Sequence, residues 1–258
     1  MKGSCLRALV LVVCTIALMS LVGMGFTVAE LEYTVNHELI PEINVAAGLA
    51  LGNSYAKTKT VAELEDLATH GGTIGLRTAG GVALAVLYRD KTEEELLAIL
   101  TGTADPIIRA AAIEPALSYL IAKTADELKG LAATGETHEM RLAAAKAYYI
   151  KTASTATQAR LEADAAGEGE LAFAAGEILA GFYLFLPPVK TQAELEDIAI
   201  HGQTEGLRVA GGNALASWLI DSELTAEELQ VKLAAITGTL TAEYRNAYQM
   251  ALAKRFSE

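Results

Sequence analysis

One stretch of this chain is written twice. Glu63-Leu64-Glu65-Asp66-Leu67-Ala68-Thr69-His70-Gly71, continued to Ala85, matches Glu194-Leu195-Glu196-Asp197-Ile198-Ala199-Ile200-His201-Gly202, continued to Ala216, at 17 of 23 positions across a spacing of 131 residues. Fainter copies lie between them: Glu95-Leu96 with Ile108-Arg109-Ala110-Ala111-Ala112, and Glu127-Leu128 with Met140-Arg141-Leu142-Ala143-Ala144-Ala145. The underlying period is therefore near 32 residues, and the 131-residue echo is four such units. A period of this size restricts the fold severely. Each unit is one supersecondary element, too small to bury its own apolar face, and only stacked neighbours make a continuous core.

Two helix starts mark each unit. The first is Thr-x-x-Glu or Thr-x-x-Gln, in which the Thr hydroxyl accepts from the third helical amide and the acid or amide reaches back to the Thr N–H. It occurs as Thr27/Glu30, Thr60/Glu63, Thr92/Glu95, Thr124/Glu127, Thr155/Gln158, Thr191/Glu194 and Thr225/Glu228, at spacings of 31 to 36. One such box means little; seven in phase define repeats starting near 27, 60, 92, 124, 155, 191 and 225. The second start is a Thr or Asp four residues before an Arg: Thr73/Arg77, Asp105/Arg109, Thr137/Arg141, Thr204/Arg208 and Thr241/Arg245. Both residue types are good N-caps, and Pro106 stands where a first-turn proline belongs. In the first and fifth units the Arg position holds Asn44 and Ala172. Gly71, Gly102, Gly135, Gly202 and Gly238 fall between the two helices, where a left-handed C-terminal residue is expected.

The composition agrees with helices alone. The chain is 52% hydrophobic but only 6% aromatic, so its apolar residues are largely Ala, Leu, Ile and Val, and Ala is the best helix former. Small residues stand two, three and six places after the Arg (Ala79, Gly80, Ala83; Ala143, Ala144, Ala147; Ala210, Gly211, Ala214; in one unit Ala111, Ala112, Pro115), on one side of a helix. Close helix approach is expected there. A Leu seven places after the Arg (Leu84, Leu215, Leu252) supplies apolar filling.

The pattern of N-cap, apolar residue, Arg, x, Ala-Ala or Ala-Gly, then Ala-Leu resembles the HEAT-like repeats named after phycobilisome lyases. Asp105-Pro106-Ile107-Ile108-Arg109-Ala110-Ala111-Ala112 and Gly206-Leu207-Arg208-Val209-Ala210-Gly211-Gly212-Asn213-Ala214-Leu215 carry the likeness best, and it covers residues 27–258. It implies an all-α, right-handed alpha-alpha superhelix, a solenoid of about seven helical hairpins. Second helices would line its concave face, a surface most often used to bind other proteins. The Trp, Leu-Gly and Tyr signature of tetratricopeptide repeats is absent from the first helices.

Residues 1–26 stand apart. Lys2 and Arg7 precede the uncharged run Ala8 to Phe26, and the first acidic residue is Glu30. A basic head and an apolar run followed by small residues read as a secretory signal peptide, with a break after Gly25 or Ala29. The 19-residue run would also reach about 28 Å as a helix, enough for a membrane anchor. Cys5 and Cys14 both lie in this segment, so the exported body would have no thiol or disulfide chemistry. That body carries 18 basic and 32 acidic residues, a net charge of -14. Such a surface repels a phosphate backbone, and no Lys/Arg run offsets it, so nucleic acid is excluded as a partner.

Arg77, Arg109, Arg141, Arg208 and Arg245 form a ladder read as structural, each bridging to an Asp or a carbonyl of a neighbour, with Asp66 and Asp197 as acidic candidates. Eleven residues after the Arg position stand Tyr55, Tyr88 and Tyr183, with Trp218 one place earlier. As a stripe these are core; if a concave groove exists, they are its anchors, because Tyr and Trp dominate binding surfaces. His37-Glu38 and His138-Glu139 are too few and out of register for the four His-Glu pairs of the HEAT-like deoxyhypusine hydroxylases, so no metal or cofactor is expected. No nucleophile elbow, phosphate loop or paired-His helix is present. The function expected is an exported, non-enzymatic scaffold that binds a protein or peptide through its concave face. The alternatives are a relative of lyases or metalloenzymes and a membrane-anchored spacer.

Overall fold

The computed structural model describes residues 26–102, 104–236 and 240–258, Ser154 without its side chain. The export segment expected in residues 1–26 thus lies outside the described residues except for Phe26, and so does Gly238. Among the described residues there is no strand, and no helix is long and apolar enough to cross a membrane.

The chain is all-helical, with fifteen α-helices among the described residues. They are α1 (Val28–His37), α2 (Pro41–Thr58), α3 (Val61–His70), α4 (Ile74–Leu87), α5 (Glu93–Thr101), α6 (Pro106–Ala111), α7 (Ile113–Leu120), α8 (Ala125–Thr134), α9 (His138–Thr152), α10 (Gln158–Ala165), α11 (Gly169–Phe185), α12 (Gln192–His201), α13 (Glu205–Asp221), α14 (Ala226–Ala235) and α15 (Ala242–Ser257). Short first helices (α1, α3, α5, α8, α10, α12, α14) each pack on the second helix that follows. In the third unit that second helix is broken at Ala112 into α6 and α7, three residues before Pro115, which has no N–H to continue the ladder.

Six of the seven predicted capping boxes are formed, on Thr27, Thr60, Thr92, Thr124, Thr191 and Thr225. Each Glu of these boxes is held below the usual carboxylate range, and the hydrogen bonds from its own capping Thr, backbone and side chain, are the main cause. The box expected at Thr155 is not there. Thr155 ends a 3-10 turn, and Thr157 caps α10 by accepting from the Arg160 amide. The turn glycines also need correction: Gly71, Gly102, Gly135 and Gly202 have φ of -50°, -78°, -55° and -51°, so none is left-handed. Space explains them instead. A Cβ at Gly71 would lie 2.5 Å from the Leu67 carbonyl oxygen and 3.1 Å from the Arg77 side chain.

Small residues let the layers close as expected. A Cβ at Gly80 would lie 2.7 Å from the Ala68 amide of α3, and one at Gly211 would lie 2.6 Å from the Ala199 amide of α12. Leu64, Ala68, Ala79, Ala83 and Leu84 are fully buried between α3 and α4, and Leu195, Ala199, Ala210, Ala214 and Leu215 repeat the set.

Second helices also pack on one another in order: α2 on α4, α4 on α6, α7 on α9, α9 on α11, α11 on α13 and α13 on α15. The order then returns to its start, because α15 packs on α2 and α14 touches α2. An open superhelix has no such contact between its ends. The Arg position explains how it forms. Arg109 Nε donates to Glu139 at 2.9 Å and Arg141 Nε to Glu170 at 2.8 Å, in each case a Glu in the first turn of the next second helix. Arg208 lies 3.4 Å from Glu243 in the same relation. Arg245 of the last unit lies 3.5 Å from Glu42 of the first, so the cycle closes through the same contact that joins three of its other seams. At the other end of the last helix Phe256 meets Phe26 edge-on, with ring centroids 4.5 Å apart.

Glu42→Gln removes a partly exposed ion pair and should cost about 1 kcal/mol. Amide exchange should then speed up in α2 and α15 while α8 is unchanged; equal protection of α15 in both proteins would mean that this pair does not hold the seam.

Candidate functional site

Four of the five ladder arginines clasp neighbouring helices, and Arg77 does not. The guanidinium of Arg109 donates to the Ala104 carbonyl, and those of Arg141, Arg208 and Arg245 donate to Gly135, Gly202 and Leu240 at 3.0, 3.2 and 2.8 Å. Asp66 and Asp197, the acidic partners expected from sequence, pair instead with His70 and His201 on their own helices at 2.9 and 2.8 Å. These pairs are surface-exposed. Burial pushes the Glu139 and Glu170 carboxyls up, but hydrogen bonds from their own backbone and from Arg109 and Arg141 outweigh it and hold both below the usual range.

Three of the four aromatic candidates lie in the core. Tyr55, Tyr88 and Tyr183 are 5%, 0% and 3% exposed, which removes them from any binding face. Each sits between the two helices of its own hairpin. The Tyr55 hydroxyl donates to Glu32 at 3.0 Å and that of Tyr88 to Glu65 at 3.1 Å. Lys59, Lys91 and Lys190 lie over the three rings at 4.6, 5.4 and 4.8 Å. Burial, then the charge of Glu162, pushes the Tyr183 phenol up to about 12, and Tyr55 and Tyr88 shift the same way. An aromatic ring eleven residues past the Arg has turned toward the first helix, not away from it.

Trp218 is different. It is 37% exposed and lines a groove of about 760 Å³ with Leu184, Phe185, Ser217, Asp221, Ser222, Glu223, Leu224 and Glu228. The groove lies where the ends of α11 and α13 meet the link into α14. Phe185 is 76% exposed, and Leu186 and Val189 extend its apolar surface into the next turn. Phe185 ends a helix whose buried set stops at Tyr183, and it is left uncovered among the described residues. One wall is fixed from behind by Arg255, which donates to the carbonyls of Ile220, Ser222 and Leu224 at 2.9, 2.6 and 2.9 Å. The rim is acidic. Glu228 is engaged by its capping Thr225, while the Asp221 and Glu223 side chains are exposed.

A second polar cluster lies on the face of the second helices turned away from the first helices. Residues two places past Gly80 and Gly211 are about 200° further round the helix, which takes them away from α3 and α12. At that register stand Leu49, Val82, Glu114, Lys146, Glu177, Asn213 and Met250. Lys146 lies 2.8 Å from Glu114 and 3.0 Å from Glu177, so one ammonium ties three successive hairpins. Burial pushes the Glu177 carboxyl up, and the Lys146 charge only partly opposes it. For Lys146 burial acts downward but is outweighed by Glu177 and Glu114, leaving it raised. Sequence reasoning missed this trio because each member is an ordinary charged residue in its own helix.

His138 Nδ1 lies 3.2 Å from the Glu170 carboxylate. Among the described residues no three His, Cys, Asp or Glu side chains group as metal ligands would. Comparison with known proteins finds no matching family, no matching curated protein and no matching solved structure.

Lys146→Met leaves Glu177 covered and without its counter-charge. A carboxyl raised in the folded state releases its proton later than the unfolded protein does, so stability falls as pH rises through that interval. The variant should therefore lose Tm relative to the parent between pH 5 and pH 7.5, measured by calorimetry; an equal deficit at both pH values would remove Glu177 from the account.

Proposed function

We propose that the protein is a closed ring of seven HEAT-like hairpins that binds a segment of a partner protein in the Phe185–Trp218 groove. The bound segment has an aromatic or aliphatic anchor side chain between Phe185 and Trp218, with a Lys or Arg beside it facing Asp221 and Glu223. The observation that carries this reading is the groove itself: uncovered aromatic and aliphatic surface beneath an acidic edge, with a wall held in place by Arg255. Its volume suits a few side chains rather than a whole domain. Aromatic anchors in a shaped groove dominate such interfaces, and the rim charges contribute on-rate and choice of partner. The net charge of the body, -14, favours the same basic partner over a longer range.

Selection of random peptides on the purified protein should enrich sequences that pair an apolar anchor with Lys or Arg. Trp218→Ala and Phe185→Ala should each weaken the selected peptides by about tenfold or more, since anchor truncations cost upwards of about 1–2 kcal/mol. Binding that survives both substitutions would place the site elsewhere.

We infer also that residues 1–26 direct export, cleaved after Gly25. This break keeps Phe26, which packs on Phe256, and Thr27, which caps α1; a break after Ala29 would discard both. Sequencing the amino terminus of the mature protein should begin at Phe26, and a start at Met1 would support the anchor instead.

A further inference from the structure

The clasp between successive second helices has one rung without its acid. Arg109, Arg141, Arg208 and Arg245 each face a Glu on the next second helix. Arg77 occupies the same place in the second hairpin. Its stem lies against Gly71 as that of Arg141 lies against Gly135 and that of Arg208 against Gly202, at 3.1, 3.0 and 3.0 Å from where a Cβ would be. The position opposite, which holds Glu243 at the Arg208 rung, holds Ile107. The match is direct: a Cβ at Gly212 would meet Glu243, and one at Gly81 would meet Ile107. Arg77 Nε is accordingly buried with no hydrogen-bond partner among the described residues. Arg208 Nε also lacks a well-aligned hydrogen bond, but it has the Glu243 carboxylate 3.4 Å away.

The same seam lacks the other polar bond that joins neighbouring hairpins. Thr73, Thr137, Thr204 and Thr241 each donate their hydroxyl to a carbonyl near the end of a preceding first helix. At this seam the cap is Asp105, which accepts from Ile107 and has no proton to give. A guanidinium with an unmet, buried N–H is destabilising, and a planar carboxylate is the group that satisfies it best. The four completed rungs show what fits that place: a carboxylate beside Nε. Arg77 as a residue is only half-buried, so its side chain is not sealed from solvent.

We propose that the seam between the second and third hairpins binds a carboxylate of a partner molecule on Arg77, the ligand supplying the acid that Ile107 replaces. The terminal carboxylate of a peptide and an Asp or Glu side chain share this chemistry. The site is independent of the Phe185–Trp218 groove and stands or falls without it. The protein's net negative charge opposes any anion at long range, so recognition here rests on the local, desolvated guanidinium.

The test follows the arginine Nε–H resonances of the purified protein at constant ionic strength. Acetate should move the Arg77 signal saturably, while chloride should not, and the Arg109 and Arg141 signals should stay in place. Acetyl-glycine and acetyl-glutamate amide then separate the two sources: saturation by the first alone identifies a terminal carboxylate, and by both, any carboxylate. Arg77→Lys should weaken acetyl-glycine by about tenfold, read from the Gly71 and Gly72 amides, because a point charge cannot replace the planar fork. Ile107→Glu should abolish the acetate response and raise the melting temperature by restoring the rung. An Arg77 signal that follows acetate and chloride alike would overturn the proposal, as would an acetate response intact in Ile107→Glu.

Discussion

Every helix ends in carbonyl groups that have lost their helical partners, and in a stack of short hairpins these ends are too many to leave to water. How they are met sets the architecture. A ladder Arg donates one end of its guanidinium to the carbonyl closing its own hairpin's turn and the other to a Glu of the next second helix. A Thr that caps a second helix donates its hydroxyl back to the first helix of the hairpin before. Each side chain thus satisfies a helix end and fixes a neighbour in one step. At four seams the same Arg–Glu contact sets one hairpin on the next, and the last of these joins the seventh hairpin to the first.

Where the Arg is missing, the seam is built differently. Asn44 and Ala172 take its place, and the facing residues are Gly75 and Gly206 instead of Glu. Gly48 and Gly176, four places on, pack directly on the backbones of Gly75 and Gly206. The amide of Asn44 donates to the Val35 carbonyl of its own hairpin and accepts from the Gly75 amide across the seam. These seams exchange a charged clasp for close backbone packing, which avoids desolvating two charges and gains dispersion contacts along the helix. The two solutions cannot be mixed: an Arg opposite Gly has no acid, and a Glu opposite Ala has no base. The seam of Arg77 and Ile107 is neither kind.

Helix positions were legible because their signals are local. Six capping boxes and five second-helix caps stand where the Thr and Asp spacing put them, since a cap needs only residues three or four apart. The failure at Thr155 came from a competing cap two residues on, Thr157. What sequence could not convey was rotation about each helix and contact between distant units. Tyr55, Tyr88 and Tyr183 share a register with nothing to say whether it faces the first helix or solvent. For Tyr55 and Tyr88 the Glu partners, Glu32 and Glu65, lie 23 residues earlier, beyond any local motif. Closure was invisible for a related reason: Glu42 and Arg245 are two ordinary residues until the backbone has gone round. Trp218 was found as an aromatic out of register, and Phe185 escaped notice because it lies past the last buried turn of its helix.

Closure also bears on how a partner would be held. An open stack of hairpins flexes like a spring and loses motion when it wraps a ligand. A cycle of contacts removes that freedom in advance, so the ordering is already complete before a ligand arrives. The same constraint narrows the face between the second helices, where Lys146 draws Glu114 and Glu177 together and neutralises part of the charge. A large partner is therefore better met at the ends of the helices than within. The exposed aromatic surface is at such an end, with Phe185 and Trp218 on neighbouring second helices, and the acidic link beside it is pinned by Arg255 of the next. Three successive hairpins thus shape one groove, and its geometry depends on the same seams that close the cycle.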